Sequence, residues 1–315
     1  MSDASVTLAE QLLEARASGQ RLRVCGARSK PWMATANAQW LDLSAHRGVV
    51  SYKPAELVVV VRAGTPLAEL DAVLAEKNQM LAMEAPDFNG CSTIGGAVAL
   101  GWAGSRGVFA QGVRDSVLGV RMLNGEGELL RFGGEVMKNV AGFDVSRLMV
   151  GSNGLLGALL ELSLKVQPRP VAEITLGWDV PDLAETRQRV AEWTRRGLPI
   201  SGASLEHGRF RARFSGPAAV LDDLAKTLGG EPEDGVFWEQ LRRLERPLFH
   251  HGWGDEKLFD ANGQICWTAH SRRQGEGATV SLAQGPDLHK SAHRSLLTRV
   301  ASAFDPAGVF AAALA

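Results

Sequence analysis

GCSTIGGAVALGWAGSRG, residues 90–107, decides how the rest of this chain is read. Glycine stands at 90, 95, 96, 101, 104 and 107, yet Ile94, Ala97, Val98, Leu100 and Trp102 keep the stretch apolar rather than low in complexity. Glycine lets another surface approach the main chain and permits φ > 0, at a cost in backbone entropy. Dense glycine in an apolar run therefore implies that something is pressed against the backbone. Two readings follow: tight turns between packed strands, or main chain cradling a large cofactor. The concentration continues outward, since residues 90–157 hold 16 of the chain's 35 glycines.

The composition sets the frame. The 315 residues accommodate two domains of ordinary size. Hydrophobic content of 45 % and charged content of 22 % suit a globular protein with a full core. A net charge of −1 supplies no basic field for nucleic acid or anionic membranes. No apolar run has the length to span a bilayer. The opening MSDASVTLAEQ lacks the basic and apolar regions of a secretory leader. Cys25, Cys91 and Cys266 are too dispersed for a CxxC, zinc or iron–sulfur pattern, which points to the reducing cytoplasm.

Upstream of the glycine-rich stretch, Thr7-Leu8-Ala9-Glu10 has the form of a capping box. It predicts a helix over 7–17 that stops at Gly19. A strand over 21–25 then runs into Gly26-Ala27-Arg28-Ser29-Lys30, a loop that either offers backbone N–H groups to an anion or is an ordinary exposed turn. Strands are predicted over 40–43, 49–53 and 57–62. Thr65 then caps a helix reaching 77 with Pro66 at its first position, and a strand follows over 79–83. This order is a compact α+β unit ending near Pro86.

Downstream, Asn124-Gly125 predicts a hairpin between 116–123 and 128–132. A partly helical segment over 136–150 and an alternating strand over 158–166 follow, and Gln167-Pro168-Arg169-Pro170 marks a boundary. Beyond it the pattern predicts a strand over 172–180 and a helix over 183–196 capped by Asp182 and stopped by Gly197. A hairpin of 201–206 with 209–215 and a helix after Pro217 ending at Gly229 come next. These are the first five elements of a ferredoxin-like β-α-β-β-α-β layout. A helix over 236–243, a strand over 264–269 and a helix over 290–304 complete the reading.

Several chemistries are excluded or left open by the residues. The chain has no P-loop and no G-x-G-x-x-G between a strand and a helix. His289 and His293 share a helical spacing without an acidic or cysteine partner nearby, so they read as a solvated face rather than a metal site. His250 and His251 are adjacent. His270 with Arg272 and Arg273 reads as a surface cluster or as a carboxylate-binding group. No Ser/His/Asp set follows from spacing, and no catalytic base is assigned.

Three motifs together resemble the FAD-binding subunit of bacterial glycolate oxidase, within the vanillyl-alcohol-oxidase/PCMH flavoprotein superfamily. The loop Gly26-Ala27-Arg28-Ser29-Lys30 stands where that superfamily has its pyrophosphate loop. Pro86-Asp87 with Cys91-Ser92-Thr93-Ile94-Gly95-Gly96, followed by Gly104 and Gly107, is similar to its central flavin segment. Val140-Ala141-Gly142-Phe143-Asp144, Arg147-Leu148 and GSNGLLGALLE (151–161) are similar to its closing segment. The order and spacing agree over residues 1 to about 170. The second half matches more loosely, best at Phe304-Asp305-Pro306-Ala307-Gly308-Val309-Phe310.

The resemblance implies an α+β fold: a PCMH-type FAD-binding domain over 1–170, made of two α+β subdomains of about 1–85 and 86–170. A smaller ferredoxin-like α+β cap or interaction domain would occupy 171–315. FAD would be held non-covalently, with its pyrophosphate on the backbone of Gly26, Ala27, Arg28, Ser29 and Lys30. Pro86, Asp87, Thr93, Ile94, Gly95, Gly96, Leu100, Gly104, Ser105 and Gly107 would approach the flavin and ribityl chain. Asn153, Gly154, Gly157 and Leu159 would offer backbone to the adenine end. In each case a small residue leaves the cofactor its volume. Cys91 stands where one subgroup carries a cysteinyl-flavin link, whereas Arg28 replaces the histidine of another covalent type.

The histidine-rich metal and substrate motif of the related catalytic subunit is not found here. The implied function is a cytoplasmic subunit of a glycolate (2-hydroxy-acid) oxidase, or one peripheral to the inner membrane through its partners. It would take or relay electrons between a second flavin subunit and an iron–sulfur subunit. A non-catalytic scaffolding subunit and a stand-alone flavin oxidoreductase of another substrate remain as alternatives.

Overall fold

The computed structural model describes residues 3–29, 38–135, 144–180, 182–243, 257–260, 265–268, 279–281 and 291–310. The first part runs α1 (Ser5–Ser18), β1 (Arg21–Cys25), β2 (Ala38–Asp42), β3 (Val49–Lys53), β4 (Val58–Arg62), α2 (Leu67–Ala75) and β5 (Gln79–Met80). It continues with α3 (Ile94–Leu100), α4 (Ser105–Phe109), α5 (Val113–Ser116), β6 (Val117–Leu123), β7 (Leu129–Gly133), α6 (Val145–Leu148), β8 (Ala158–Lys165) and β9 (Gln167–Pro168). The second part holds β10 (Ala172–Asp179), α7 (Leu183–Arg195), β11 (Ile200–Glu206), β12 (Arg209–Gly216), α8 (Ala218–Leu228) and β13 (Glu231–Glu233). After these come α9 (Val236–Arg243), β14 (Lys257–Asp260), β15 (Ile265–Thr268), β16 (Thr279–Ser281) and α10 (Ser291–Phe304).

An antiparallel sheet of order β3-β4-β8-β6-β7 carries the first core, and a parallel pair β1-β2 lies beside it. The valines of β4 and the leucines of β8 that pair in register, such as Val59 with Leu164 and Val61 with Leu162, are almost wholly buried. The apolar run of β4 suits a strand covered on both faces, whereas β8 alternates and buries the polar Glu161 and Ser163 between its leucines. Strands β3 and β4 come from before residue 85 and β6 to β8 from after it. The two subdomains expected over 1–85 and 86–170 thus share one sheet and one core.

The second sheet has order β13-β10-β12-β11-β14-β15-β16. Its first four strands, taken with α7 and α8, give the ferredoxin-like order, and three further strands extend the β11 edge. Its core is aromatic: Phe210 and Phe214 are fully buried, with Trp178, Trp193 and Leu176 around them. The C-terminal segment departs from the expected division at 171. Val309 and Phe310 are buried in the first core, and Val300, Ala301 and Phe304 pack against it. Leu22 donates its N–H to Val309 O at 2.7 Å, and Gly125 donates to Phe304 O at 2.9 Å.

Several local expectations change for identifiable reasons. Helix α1 begins at Ser5, before the expected capping box. Asp3 Oδ1 accepts the Ser5 N–H at 2.9 Å, and no side chain caps the helix at Thr7. Thr65 does not cap α2, whose N-cap is Pro66. Its hydroxyl instead accepts from Gly48 N at 2.8 Å and donates to Arg62 O at 2.7 Å, tying two loops together. The strand expected over 79–83 shortens to Gln79–Met80, paired with Gln167–Pro168. The Asp182 cap is present: its carboxylate accepts the Glu185 N–H at 2.9 Å. No described helix is long and apolar enough to cross a membrane.

Candidate functional site

Three segments converge on one cleft. β1 ends at Cys25 and delivers the loop at 26–29. Thr93 opens α3 as its N-cap, its hydroxyl accepting the Gly96 N–H at 3.3 Å, and Gly101 ends the helix at φ 71°. The turn at 151–157 then leads into β8, with Asn153 at φ 53° and its N–H bonded to Ala99 O at 2.9 Å. Together they line one cleft whose walls are mainly apolar, with a few polar groups converging on it.

Of the residues expected to hold the cofactor, Gly26, Ala27, Arg28, Ser29, Thr93, Gly95, Gly96, Leu100, Asn153, Gly154, Gly157 and Leu159 line this cleft. Ile94 turns away from it into the first core and is fully buried. Pro86, Gly104 and Ser105 line a separate small cavity beside Glu84, Trp238 and Arg242, against the second sheet. Asp87 donates its N–H to Arg242 O at 3.0 Å, and Gly107 packs on Ala103. Lys30 and the expected motif residues 140–143 lie outside the described residues, as do His250, His251, His270, Arg272, Arg273 and His289.

The cleft also takes Val24, Cys25, Trp40, Leu43, Ala63 and Ala99, which motif reading missed. Val24 and Cys25 had a signal in sequence, being the last two residues of the strand that feeds the loop. Trp40, Leu43 and Ala63 had none, because only the β1-β2 pairing and the close contact of α3 with the end of β4 bring them there.

The reason for glycine differs from the expectation that each one vacates cofactor volume. A Cβ on Gly26 would overlap the Thr93 side chain, and one on Gly95 would stand 2.6 Å from Ala63 Cβ. These glycines let loop, helix and strand close on one another, and the space left over is the cleft.

Charge in the cleft is sparse. Arg28 adopts φ 53°, its guanidinium 3.0 Å from Asp42 and 5.4 Å from the centre of the Trp40 ring. An exposed pair of this kind contributes about 0–1 kcal/mol, so it fixes the side chain's place rather than the fold. Burial pushes the Cys25 thiol up, and a hydrogen bond from Arg28 partly opposes this. Cys91 is exposed, its Sγ 3.7 Å from Asn89 O, and does not line the cleft.

The residues present fit a flavin dinucleotide. Among the described residues, no main-chain hydrogen bond uses the N–H groups of Gly26, Ala27 or Arg28. Backbone donors that the fold leaves uncommitted beside a cleft are open to a ligand, and a pyrophosphate can accept from them. Around them Trp40, Leu43, Ala63 and Leu159 give the apolar walls that a ring system requires. Replacing Thr93 by Ala removes the cap of α3 and the surface on which Gly26 rests. A loss of about 1 kcal/mol and weaker FAD uptake are expected, read by thermal melting and by titration of flavin fluorescence.

A family model described as an FAD binding domain matches residues 6–133. The chain is 44 % identical over 248 residues to glycolate oxidase subunit GlcE of Escherichia coli, covering 78 % of this chain and 71 % of that protein. It is 41 % identical over 85 residues to glycolate oxidase subunit GlcD of Bacillus subtilis, a match covering 27 % of this chain and only 18 % of that one. With D-lactate dehydrogenase of Anaerostipes hadrus it shares 34 % identity over 136 residues, 43 % of this chain and 28 % of the other. Among solved structures, an alkyldihydroxyacetonephosphate synthase superposes with a TM-score of 0.66 at 15 % identity, over 96 % of this chain and 73 % of that one, a likeness of fold alone. The chain belongs to the family of FAD-binding flavoproteins that includes glycolate oxidase subunit GlcE, and FAD is its cofactor.

Proposed function

We propose that this chain is the FAD-binding subunit of a glycolate oxidase complex and that it relays electrons rather than oxidising the hydroxy acid itself. Residues 1–170 form the FAD-binding part in this reading, joined by 300–310. The rest of 171–315 is the cap that faces partner subunits: a second flavin subunit and an iron–sulfur subunit, which hold the complex in the cytoplasm or at the inner membrane. Bound FAD supplies reversible acceptance of a hydride or of electrons. The chain's own residues bind and orient it non-covalently: Gly26, Ala27 and Arg28 offer N–H groups to the pyrophosphate, while Gly95 and Gly96 bring α3 close and Leu43, Ala63 and Leu159 exclude water.

The observation that carries the relay reading is the titration chemistry of the cleft. Removing a proton from a 2-hydroxy acid needs a base poised near neutral pH. Among the described lining residues the titratable groups are Cys25 and Arg28. Burial pushes the Cys25 thiol up, and Arg28 keeps its proton. A visible spectrum of the purified chain tests this. Flavin bands that persist with glycolate alone and bleach when the partner subunits are added are expected. Bleaching by glycolate alone would transfer catalysis to this chain. A chain that shows no flavin bands after incubation with FAD would be a scaffold.

A further inference from the structure

We propose that Glu84 is a positioning residue that couples FAD binding to the seating of the second sheet. The inference rests on the cleft being the FAD site. Glu84 adopts φ 47°, a left-handed conformation that a non-glycine residue takes up at a cost and keeps only when its surroundings enforce it. Its side chain is 15 % exposed. The carboxylate accepts from Arg213 Nη1 and Nη2, both at 2.9 Å, and from the backbone N–H of Arg106 at 3.0 Å. Arg106 in turn donates through Nη2 to Glu173 at 2.7 Å and through Nη1 to Ser215 at 3.3 Å. Two arginines and two glutamates thus form a neutral cluster, with Glu84 and Arg106 from the first part and Glu173, Arg213 and Ser215 from β10 and β12. Burial pushes the Glu84 carboxyl up, but the Arg213 charge and hydrogen bonds, with Arg106, outweigh it and hold the group below the usual carboxylate range.

The position of this cluster along the chain gives it a role. Glu84 and Arg106 are the two ends of the segment whose middle supplies Thr93, Gly95, Gly96 and Leu100 to the cleft. The Arg106 N–H to Glu84 bond closes that segment into a loop, reinforced by Gly104 N to Met83 O at 3.0 Å. Gly104 has no side chain because a Cβ there would stand 2.5 Å from Glu84 O. Helix α9 grips the same loop: Asp87 and Asn89 donate to Arg242 O and Arg243 O, each at 3.0 Å, and Arg242 Nε donates to Ala85 O at 3.2 Å. One face of the loop therefore meets the cofactor and its two ends meet the second sheet. A ligand that orders the loop favours the seated second sheet, and by reciprocity seating favours the ligand.

The test uses the full chain and FAD. Affinity is read by flavin fluorescence for the parent, E84Q, R213K and D182A, and hydrogen exchange of the α9 amides is followed with and without FAD. E84Q is expected to bind FAD about ten-fold more weakly, with R213K in between. D182A loses a helix cap in the second part without touching the cluster, so it should keep the parent's affinity. FAD should protect α9 in the parent and in D182A but not in E84Q. If E84Q does not fold, R213K, which keeps the charge but loses the paired donors, carries the comparison. Parent-like affinity in the folded variant, or equal weakening by D182A, overturns the coupling. A parent chain that takes up no FAD overturns the cleft reading instead, and the coupling with it.

Discussion

A Gly95→Val chain is expected to purify without FAD and to melt below the parent. Gly95 sits on the first turn of α3, where its N–H donates to Ala63 O at 2.8 Å. An added Cβ would lie 2.6 Å from Ala63 Cβ and 2.8 Å from Ala63 O, and valine adds two further carbons beyond it. Ala63 cannot yield easily, because its own N–H bonds Leu160 O at 2.7 Å and holds the end of β4 against β8. The helix must therefore move, and the space beside it is the cleft that Gly95 lines. Overpacking of this kind costs about 1–3 kcal/mol. If the same displacement is felt by the ligand, FAD affinity falls about ten-fold for each 1.4 kcal/mol. Thermal melting and a flavin fluorescence titration measure both effects. Pairing Gly95→Ala with Ala63→Gly should restore part of the affinity, since it removes the Cβ clash and leaves the carbonyl. Full FAD affinity in Gly95→Val would place the flavin elsewhere.

Phe210→Ala should be among the most destabilising single changes in the second part of the chain. Phe210 is fully buried on β12, its ring centre 5.6 Å from that of Trp178 and 5.7 Å from that of Trp193, at interplanar angles of 28° and 21°. Trp193 also meets Phe214 at 5.5 Å. Truncation opens a cavity among rings that are held by β10, α7 and β12 and so cannot collapse into it. A Phe→Ala change of this type costs about 3–5 kcal/mol, a large part of the roughly 5–15 kcal/mol that holds a domain together. The expected result is a lower denaturant midpoint with loss of the near-ultraviolet signal of the packed tryptophans. Phe210→Leu, which keeps most of the volume, should lose less. A cost under about 1 kcal/mol for Phe210→Ala would mean that these rings do not form the second core.

By itself, the sequence determined what a few neighbouring residues decide. The Asp182 cap, the αL stops at Gly19 and Gly197, and the hairpins at Asn124-Gly125 and His207-Gly208 are settled by local backbone geometry and short hydrogen bonds. The three glycine-bearing motifs were legible for the same reason, and eleven of the residues they contain meet at one cleft. What the tertiary structure alone decided was which surfaces face each other. It put Trp40 and Ala63 in the cleft, assigned Gly26 and Gly95 to contacts within the chain, and returned Val309 and Phe310 to the first core. Glu84 has no partner in its neighbourhood of sequence; Arg213, 129 residues away, is brought to it by the packing of one sheet on a distant loop. A hydrophobic or glycine period records that a residue is covered, but its partner is fixed only when the whole chain has closed.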